Sequence, residues 1–197
     1  TAASHGRVFI IEVMGHKVGW LTLNAGMAGG ADIILLPEIP YDIDQVVKVI
    51  QKRAEAGKAF TIIAVAEGAV SKEDAALTNK EYKNKQEQKR YPSIAYELAE
   101  KIREKTNKEV RVTVPGHTQR GGEPSPYDRV VATRVGAAAA ELILNREYGY
   151  MVAMKGNHTE KVPLSEVAGK LKYVDPEDGL IREARRIGIS FGDGQEG

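Results

Sequence analysis

Short apolar runs alternate with helix-forming segments along the first part of the chain, and this alternation restricts the possible folds more than any other feature. Three runs are rich in β-branched residues and resemble strands buried on both faces: Val8–Val13, Asp32–Leu36 and Phe60–Ala66. Val46, Val47 and Ile50 lie at helical spacing and predict an amphipathic helix that ends near Gly57. Strands alternating with helices of this length predict an α/β fold, a layered, mostly parallel sheet flanked by helices.

Two segments of the chain differ sharply in character. The range Met14–Ala28 is rich in small residues and predicts a closely packed helix that stops at Gly29. Residues 71–91 are instead dominated by charged residues and predict a polar insertion, either a solvated loop or a surface helix without a core of its own. Pro92 then opens another helix.

The last part of the chain repeats the strand and helix signals. A strand is predicted at Val110–Val114, followed by a glycine-rich loop. Ser125 fits the N-cap of a long helix that runs toward Leu144. The tail from Tyr150 is predicted to add short strands and a final helix near Leu180.

Composition and charge exclude several classes of protein. The 197 residues include 28 lysines and arginines against 27 aspartates and glutamates, so a nucleic-acid partner is not expected. The chain has no cysteine, which excludes disulfides and cysteine nucleophiles. No apolar run approaches the ~20 residues of a membrane span, so a cytoplasmic protein without a membrane partner is predicted. The histidines lack the spacing of metal ligands, and no metal site is predicted.

Polar residues flanked by small ones follow three predicted strands, in the loops of residues 12–16, 66–68 and 116–122. Ligands of open α/β sheets bind at the carboxyl ends of strands, and small residues there let the backbone approach a phosphate or a sugar. His117 and Arg120 in the third loop fit a phosphate site. A tight turn with solvated side chains explains the same residues, and residue types alone leave both interpretations open.

Three other residues admit two readings each. Glu67 ends an apolar strand, either as an ion-pairing group or as an acceptor for ligand hydroxyls. Arg7 and Arg111 lie at the starts of strands, away from the three loops, and taken alone are typical surface arginines.

The chain carries no GxxxxGK[ST], no complete GxGxxG fingerprint and no GxSxG. A nucleotide-linked oxidoreductase fits the α/β pattern but lacks its fingerprint.

Two long stretches resemble the phosphofructokinase family, and the resemblance extends over essentially the whole chain. The first is EVMGHKVGWLTLNAGMAGGAD followed by PEIP, and the second is RVTVPGHTQRGGEPSPYDRVVATRVG. The resemblance implies a phosphofructokinase-like fold and the glycolytic activity of a 6-phosphofructokinase, transfer of a phosphoryl group from ATP to the 1-hydroxyl of fructose 6-phosphate. Two alternatives remain, a pyrophosphate-dependent phosphofructokinase and a non-catalytic regulatory protein that binds sugar phosphates.

The resemblance implies that the substrate is shared between subunits. Arg7 and Arg111 would grip the 6-phosphate of a substrate bound to a neighbouring subunit, which implies a homo-oligomer, a dimer or tetramer with shared active sites. His16 stands where many family members have arginine and is a candidate contact of the transferring phosphoryl group. Histidine is a weaker and pH-dependent cation at such a position.

The other substrate-binding residues implied by the resemblance act within their own subunit. Met14 and Gly15 would line the sugar pocket, and Glu67 would accept hydrogen bonds from sugar hydroxyls. His117 and Arg120 would bind the sugar phosphate. No catalytic residue is assigned among the 197 residues.

The phosphoryl donor is expected to bind outside this chain. In the family, the donor site and the catalytic aspartate lie in an N-terminal portion, and no matching segment occurs here. Mg²⁺ with ATP, or pyrophosphate, is therefore expected to bind mainly through that portion. Residues 1–197 would be the fructose-6-phosphate-binding portion, inactive alone. Gly30, Asp32 and Lys58 match parts of an allosteric nucleotide site that some bacterial members carry.

Overall fold

The computed structural model describes residues 2, 6–88 and 91–195 of the chain. The chain separates into two compact units, the first formed by residues 1–119 and 173–197 and the second by residues 120–172. His5, one of the histidines, and Lys89 and Arg90 of the predicted polar insertion lie outside the described residues. Within the described ranges, no helix combines the length and the apolar character that crossing a bilayer requires.

Four parallel strands form the sheet of the first unit. They are β1 (Val8–Val13), β2 (Ile33–Leu35), β3 (Thr61–Ala66) and β4 (Val110–Thr113). Their order in the sheet is β2-β3-β1-β4, so β1 is flanked on both sides. Ile10 of β1 lies opposite Ile63 of β3 and Val112 of β4. The predicted parallel sheet is confirmed.

Helices connect these strands and cover both faces of the sheet. In chain order the helices are α1 (Trp20–Ala28), α2 (Ile43–Glu55), α3 (Lys72–Ala75), α4 (Asn79–Glu87), α5 (Ile94–Lys105), α6 (Pro126–Leu144), α7 (Leu164–Val167) and α8 (Gly179–Arg186). A 3-10 turn, Gly116–Arg120, follows β4. Helices α6 and α7 belong to the second unit, and the others belong to the first.

Two apolar clusters lie on the two faces of the sheet. On one face, α2 and α5 contribute buried residues such as Ile50 and Leu98. On the other face, α1 and α8 contribute Leu23 and Ile181. Successive strand residues point to opposite faces. Strands that are apolar throughout can therefore serve both clusters, as their sequences predict.

The predicted helix over Met14–Ala28 is wrong at its start, because α1 begins at Trp20. Gly15 has a φ of 152° and His16 a φ of 54°, and neither value is compatible with a right-handed helix. The residues between β1 and α1 therefore form a loop at the carboxyl end of β1.

The helices on the other face begin where side chains cap them. The carboxylate of Asp42 accepts a hydrogen bond from the Asp44 amide, 2.8 Å, and starts α2. This helix ends at Glu55, close to Gly57 as predicted. Ser93 caps α5 in the same way, so that helix begins just after the predicted Pro92.

The polar segment, residues 71–91, forms α3 and α4 and is attached to the first unit by polar contacts. The amide of Lys72 donates to the carbonyl of Tyr41, 2.7 Å. The hydroxyl of Ser71 caps α3 by accepting from the amide of Asp74, 3.1 Å. Asp74 is buried and forms an ion pair with Lys85 of α4. The prediction of a surface helix without its own core is consistent with these contacts.

The second unit consists of α6, a hairpin and the short helix α7. The hairpin pairs β5 (Tyr150–Lys155) with β6 (His158–Pro163) in antiparallel register. Ser125 caps α6 as predicted: its hydroxyl oxygen accepts from the amide of Asp128, and the Asp128 carboxylate accepts from the amide of Ser125. No residue of α6 is buried, and Leu144 at its end is 82% exposed.

Candidate functional site

A cavity of about 840 Å³ (the cleft) opens at the carboxyl ends of β1 and β3. Residues that follow these strands line it together with the polar segment and the start of α5. The lining residues are Glu12, His16, Lys17, Pro37, Glu67, Gly68, Val70, Tyr82, Tyr91, Pro92, Ser93 and Ile94. The cleft therefore lies at the edge of the sheet where the sequence predicts a ligand site.

Glu67 organises the loop between β1 and α1. Its Oε1 accepts hydrogen bonds from the amides of Gly15, 3.1 Å, and His16, 2.6 Å. The amide of Val18 donates to the carbonyl of Gly15, 3.0 Å, and closes a turn with His16 at its tip. A single oxygen, Oε1, thus takes both loop amides, and a carboxylate has a second oxygen that can accept further hydrogen bonds.

Gly68 allows the two loops to approach each other, and Gly15 allows the first loop to fold tightly on itself. A Cβ atom on Gly68 would lie 2.0 Å from the carbonyl oxygen of His16, which no real contact permits. A Cβ atom on Gly15 would lie 2.5 Å from the carbonyl oxygen of Val18. The loops after β1 and β3 thus meet backbone to backbone, an approach that glycine alone permits.

Glu12, the first residue of the predicted loop at residues 12–16, joins β1 to the start of α5, a role that its sequence position did not indicate. Its side chain accepts hydrogen bonds from the hydroxyl of Ser93 and from the amide of Ala95, 3.0 Å. Glu12 is only 9% exposed and lines the cleft. The available signal was a carboxylate inside an otherwise apolar strand, because such a group must find partners when it is buried.

The third predicted loop, the 3-10 turn, contacts the first. The amide of Met14 donates to Oε1 of Gln119, 3.2 Å, and the Gln119 side chain donates to the carbonyl of Gly116, 3.2 Å. Gln119 lies inside the second family-like stretch but was not singled out from the sequence. His117 is exposed within the same turn, and Arg120 is the first residue of the second unit.

The structure gathers only part of the predicted substrate-binding set around the cleft. His16 and Glu67 line it, while Met14 and Gly15 lie in the loop that Glu67 and Gln119 hold. Lys17 also lines the cleft and was missed, because a lone lysine in a loop gives no signal beyond solvation.

Arg7 and Arg111 lie together at the opposite end of the sheet. Arg7 immediately precedes β1, and Arg111 lies in β4 opposite Phe9. Both pair with Glu109, Arg7 through its Nε at 2.5 Å and Arg111 through a terminal nitrogen. The hydrogen bond from Arg7, with help from the charge of Arg111, holds the pKa of Glu109 below its usual value. Along the strand direction, Arg7 lies roughly 16 Å and Arg111 roughly 10 Å from Glu12, which lines the cleft of their own chain.

The predicted effector residues do not share one pocket. Both carboxylate oxygens of Asp32 are engaged within the protein, Oδ2 by the amide of Ile62 at 2.8 Å and Oδ1 by Arg53 at 2.7 Å. Gly30 has a φ of 68° and follows α1. Lys58 lines a separate pocket to which neither Gly30 nor Asp32 contributes.

Among residues 2, 6–88 and 91–195, no three His, Asp or Glu side chains stand close enough together to hold a metal ion. A carboxylate-rich or glycine-rich donor site is likewise not identified in the sequence.

Comparison with known proteins agrees with the family resemblance seen in the sequence. The family model for Phosphofructokinase matches residues 1–143. The ATP-dependent 6-phosphofructokinase of Spirochaeta thermophila is 54% identical over 194 residues, which cover 98% of this chain and 53% of that protein. The chain spans about half the length of the curated relatives it matches.

Two solved structures show the same fold. Phosphofructokinase from Saccharomyces cerevisiae is 29% identical with a TM-score of 0.69, and the match covers 98% of this chain and 23% of that one. A pyrophosphate-dependent phosphofructokinase from Nitrosospira multiformis is 22% identical with a TM-score of 0.74, covering 96% of this chain and 50% of that one.

Proposed function

This chain belongs to the phosphofructokinase family, and from that membership we propose that it supplies the sugar-phosphate-binding part of a 6-phosphofructokinase. The reaction transfers a phosphoryl group to the 1-hydroxyl of fructose 6-phosphate and yields fructose 1,6-bisphosphate. The observation that carries this proposal is the cleft at the carboxyl ends of β1 and β3, where Glu67 holds the His16 turn in place.

The chemistry of the cleft suits a sugar. Oε2 of Glu67 accepts a hydrogen bond from a sugar hydroxyl, and its position is fixed because Oε1 is bonded to two amides. His16, at the tip of the turn, is placed to meet the transferring phosphoryl group. Met14 and Gly15 supply the backbone against which the sugar lies. Binding energy spent on orienting the acceptor hydroxyl in this way lowers the barrier to transfer.

The phosphate of the sugar is held by cations. His117 and Arg120 follow β4 and contact the phosphate within their own subunit, with the guanidinium offering paired donors to two oxygens. Arg7 and Arg111 act in a neighbouring copy of the protein. Both side chains pair with Glu109 at the amino ends of the strands and not in the cleft of their own chain, which supports this assignment. A homo-oligomer, a dimer or tetramer, follows from it.

The phosphoryl donor is ATP, as the curated relatives are named for it. ATP is used with Mg²⁺ in such transfers, and the metal would neutralise charge on the donor phosphates. Since the described residues offer no acidic cluster for the metal, we assign no residue of this chain to it. What this chain contributes is the orientation of the acceptor sugar.

The deciding experiment is a donor assay on the complete protein that carries this chain. Fructose 6-phosphate is supplied with either ATP or pyrophosphate, and formation of fructose 1,6-bisphosphate is followed. Turnover with ATP is expected. Turnover with pyrophosphate alone would replace the donor, and turnover with neither, despite binding of the sugar phosphate, would favour a regulatory binding protein.

A further inference from the structure

The wall of the cleft has a polar part and an apolar part. The polar part includes Glu12, Lys17 and Glu67, and the apolar part includes Tyr82, Tyr91 and Pro92. A sugar is divided in the same way, because its hydroxyls lie around the edge of the ring while its C–H bonds form apolar faces. Pockets for small molecules combine an apolar wall with a few polar groups in this manner.

The ring of Tyr91 is held in this wall by contacts at its tip and on its face. Its hydroxyl donates to Oε1 of Glu100, 3.1 Å. Its ring stacks on that of Tyr96, with the ring centres 6.4 Å apart and the planes inclined by 27°. Pro92 restricts the backbone of Tyr91 to extended conformations. A side chain oriented in this way loses little further entropy when a ligand binds to it.

Glu12 ties the segment that follows Tyr91 to the end of β1. Its Oε2 accepts hydrogen bonds from the hydroxyl of Ser93 and from the amide of Ala95, 3.0 Å. A carboxylate that is only 9% exposed needs these partners, so the contact is costly to break. Strand β1 continues directly into the loop that Glu67 holds. The aromatic wall and the Glu67 loop are therefore both fixed to the carboxyl end of β1.

We propose that Tyr91 is a substrate-binding residue whose ring covers a C–H face of the hexose. This inference rests on the proposed function, since the cleft must hold the sugar phosphate. The flat ring offers the sugar a large apolar surface and takes no part in the transfer of the phosphoryl group. Because Tyr91 contacts the sugar equally before and during the transfer, loss of the ring raises the KM and leaves kcat unchanged.

A purely structural role of Tyr91 on the surface of α5 leads to a different pattern. Such a role depends on the stacking with Tyr96 and on the hydroxyl contact with Glu100. Tyr96 does not line the cleft, so Tyr96→Leu removes the stacking and leaves the cleft wall in place. Tyr91→Phe removes the hydroxyl contact and keeps the ring. These two variants therefore separate contact with the sugar from packing against α5.

The test is steady-state kinetics of the complete protein that carries this chain, with fructose 6-phosphate and ATP. Tyr91→Leu is expected to raise the KM for fructose 6-phosphate about three- to tenfold without changing kcat, because the flat ring is lost. Tyr91→Phe is expected to recover most of this loss, and Tyr96→Leu is expected to keep the KM of the unmodified protein. An unchanged KM in Tyr91→Leu would overturn the proposal, as would equal increases in Tyr91→Leu and either of the other variants.

A fluorine label tests the contact without altering the packing of the wall. With 3-fluorotyrosine at position 91, the fluorine resonance is expected to shift when fructose 6-phosphate is added to saturation. An unchanged resonance in a protein that turns over fructose 6-phosphate would overturn this inference alone. An unmodified protein that neither binds nor turns over fructose 6-phosphate would overturn the proposed function, and this inference with it.

Discussion

At Gly68 only a hydrogen atom fits between two loops. The methyl group of Gly68→Ala would lie 2.0 Å from the carbonyl oxygen of His16 and must displace the turn that carries His16. We expect the variant to need roughly tenfold more fructose 6-phosphate for half-saturation, since small displacements of positioned groups are costly. The measurement is a substrate titration of the complete protein.

A glycine with free space supplies the control for that variant. In Gly136→Ala the added methyl group meets no atom within 4 Å and lies within α6. This substitution is expected to leave substrate binding unchanged and to stabilise the helix by about 0.5–1 kcal/mol. Equal substrate dependence in the two variants would show that the turn at His16 does not contribute to the site.

The arginine assignments lead to a second prediction at this scale. Arg120→Ala and Arg111→Ala in the complete protein are each expected to raise the fructose 6-phosphate requirement roughly tenfold or more, because charge-assisted contacts contribute about 1.5–3 kcal/mol. Steady-state kinetics measure the effect. Arg182→Ala, on the exposed side of α8, serves as the control. Unchanged substrate dependence in both test variants would remove the basis for these roles.

Single residues show which contacts of the candidate site could be predicted from the sequence. Glu67 was indicated by its place at a strand end, but its bond to the His16 amide joins residues 51 positions apart and depends on how β1 and β3 pair. Glu12 and Gln119 lie in two of the predicted loops, but their individual contacts could not be predicted because their partners are equally remote in the chain. Such contacts follow from the tertiary fold, which no local pattern encodes.

At the scale of elements, the N-terminus of α6 is closed by reciprocal hydrogen bonds between Ser125 and Asp128. Ser125→Ala removes the acceptor for the Asp128 amide and is expected to lower the free energy of unfolding by about 1 kcal/mol. Denaturant unfolding followed by circular dichroism measures the change. Ser165→Ala, at an exposed position of α7 outside any cap, is expected to have no effect and is the control.

The same cap makes the stability of α6 fall as the pH is lowered. Hydrogen bonds from the side chain and the backbone of Ser125 hold the pKa of Asp128 below its usual 3.8. A carboxyl whose pKa is lowered by folding stabilises the folded state above its unfolded pKa, and that contribution is lost as pH falls through the folded value. Asp128→Asn is therefore expected to reduce the loss of α6 stability below about pH 4, as measured by unfolding at a series of pH values.

The elements themselves were largely predictable, and the failures have clear causes. Buried parallel strands and capped helices leave strong local signals, such as β-branched runs and Ser125. The start of α1 was misplaced because the positive φ of His16 is imposed by Glu67, which lies far along the chain. The polar segment was read as a surface feature, whereas Tyr82 and Tyr91 also line the cleft.

For the molecule as a whole, the apolar surface of the second unit is unusual for a chain of this composition. Within α6, Ile143 is 63% and Leu144 82% exposed. Neighbouring apolar side chains exposed to this extent bind hydrophobic dyes. Ile143→Ser/Leu144→Ser is expected to lower the fluorescence of bound anilinonaphthalene sulfonate by roughly half.

An isolated exposed residue provides the comparison for that experiment. Ile187 follows α8 and is 71% exposed in the first unit. Scattered surface residues of this kind are ordinary, so Ile187→Ser should leave the fluorescence unchanged. Identical fluorescence in the chain with and without the α6 substitutions would show that α6 does not provide the dye-binding surface.

Arg7 lies at one end of the sheet and the cleft at the other, with most of β1 between them, and Arg111 pairs with the same glutamate as Arg7. In the proposed assembly, one hexose molecule would therefore contact two polypeptides and stabilise their association. Dilution would then lower the activity by dissociating the subunits, and added substrate would favour their reassociation by mass action. Two weakened preparations, one altered at Glu67 and the other at Arg111, would regain substrate affinity when mixed, because each hybrid pair retains one unaltered site.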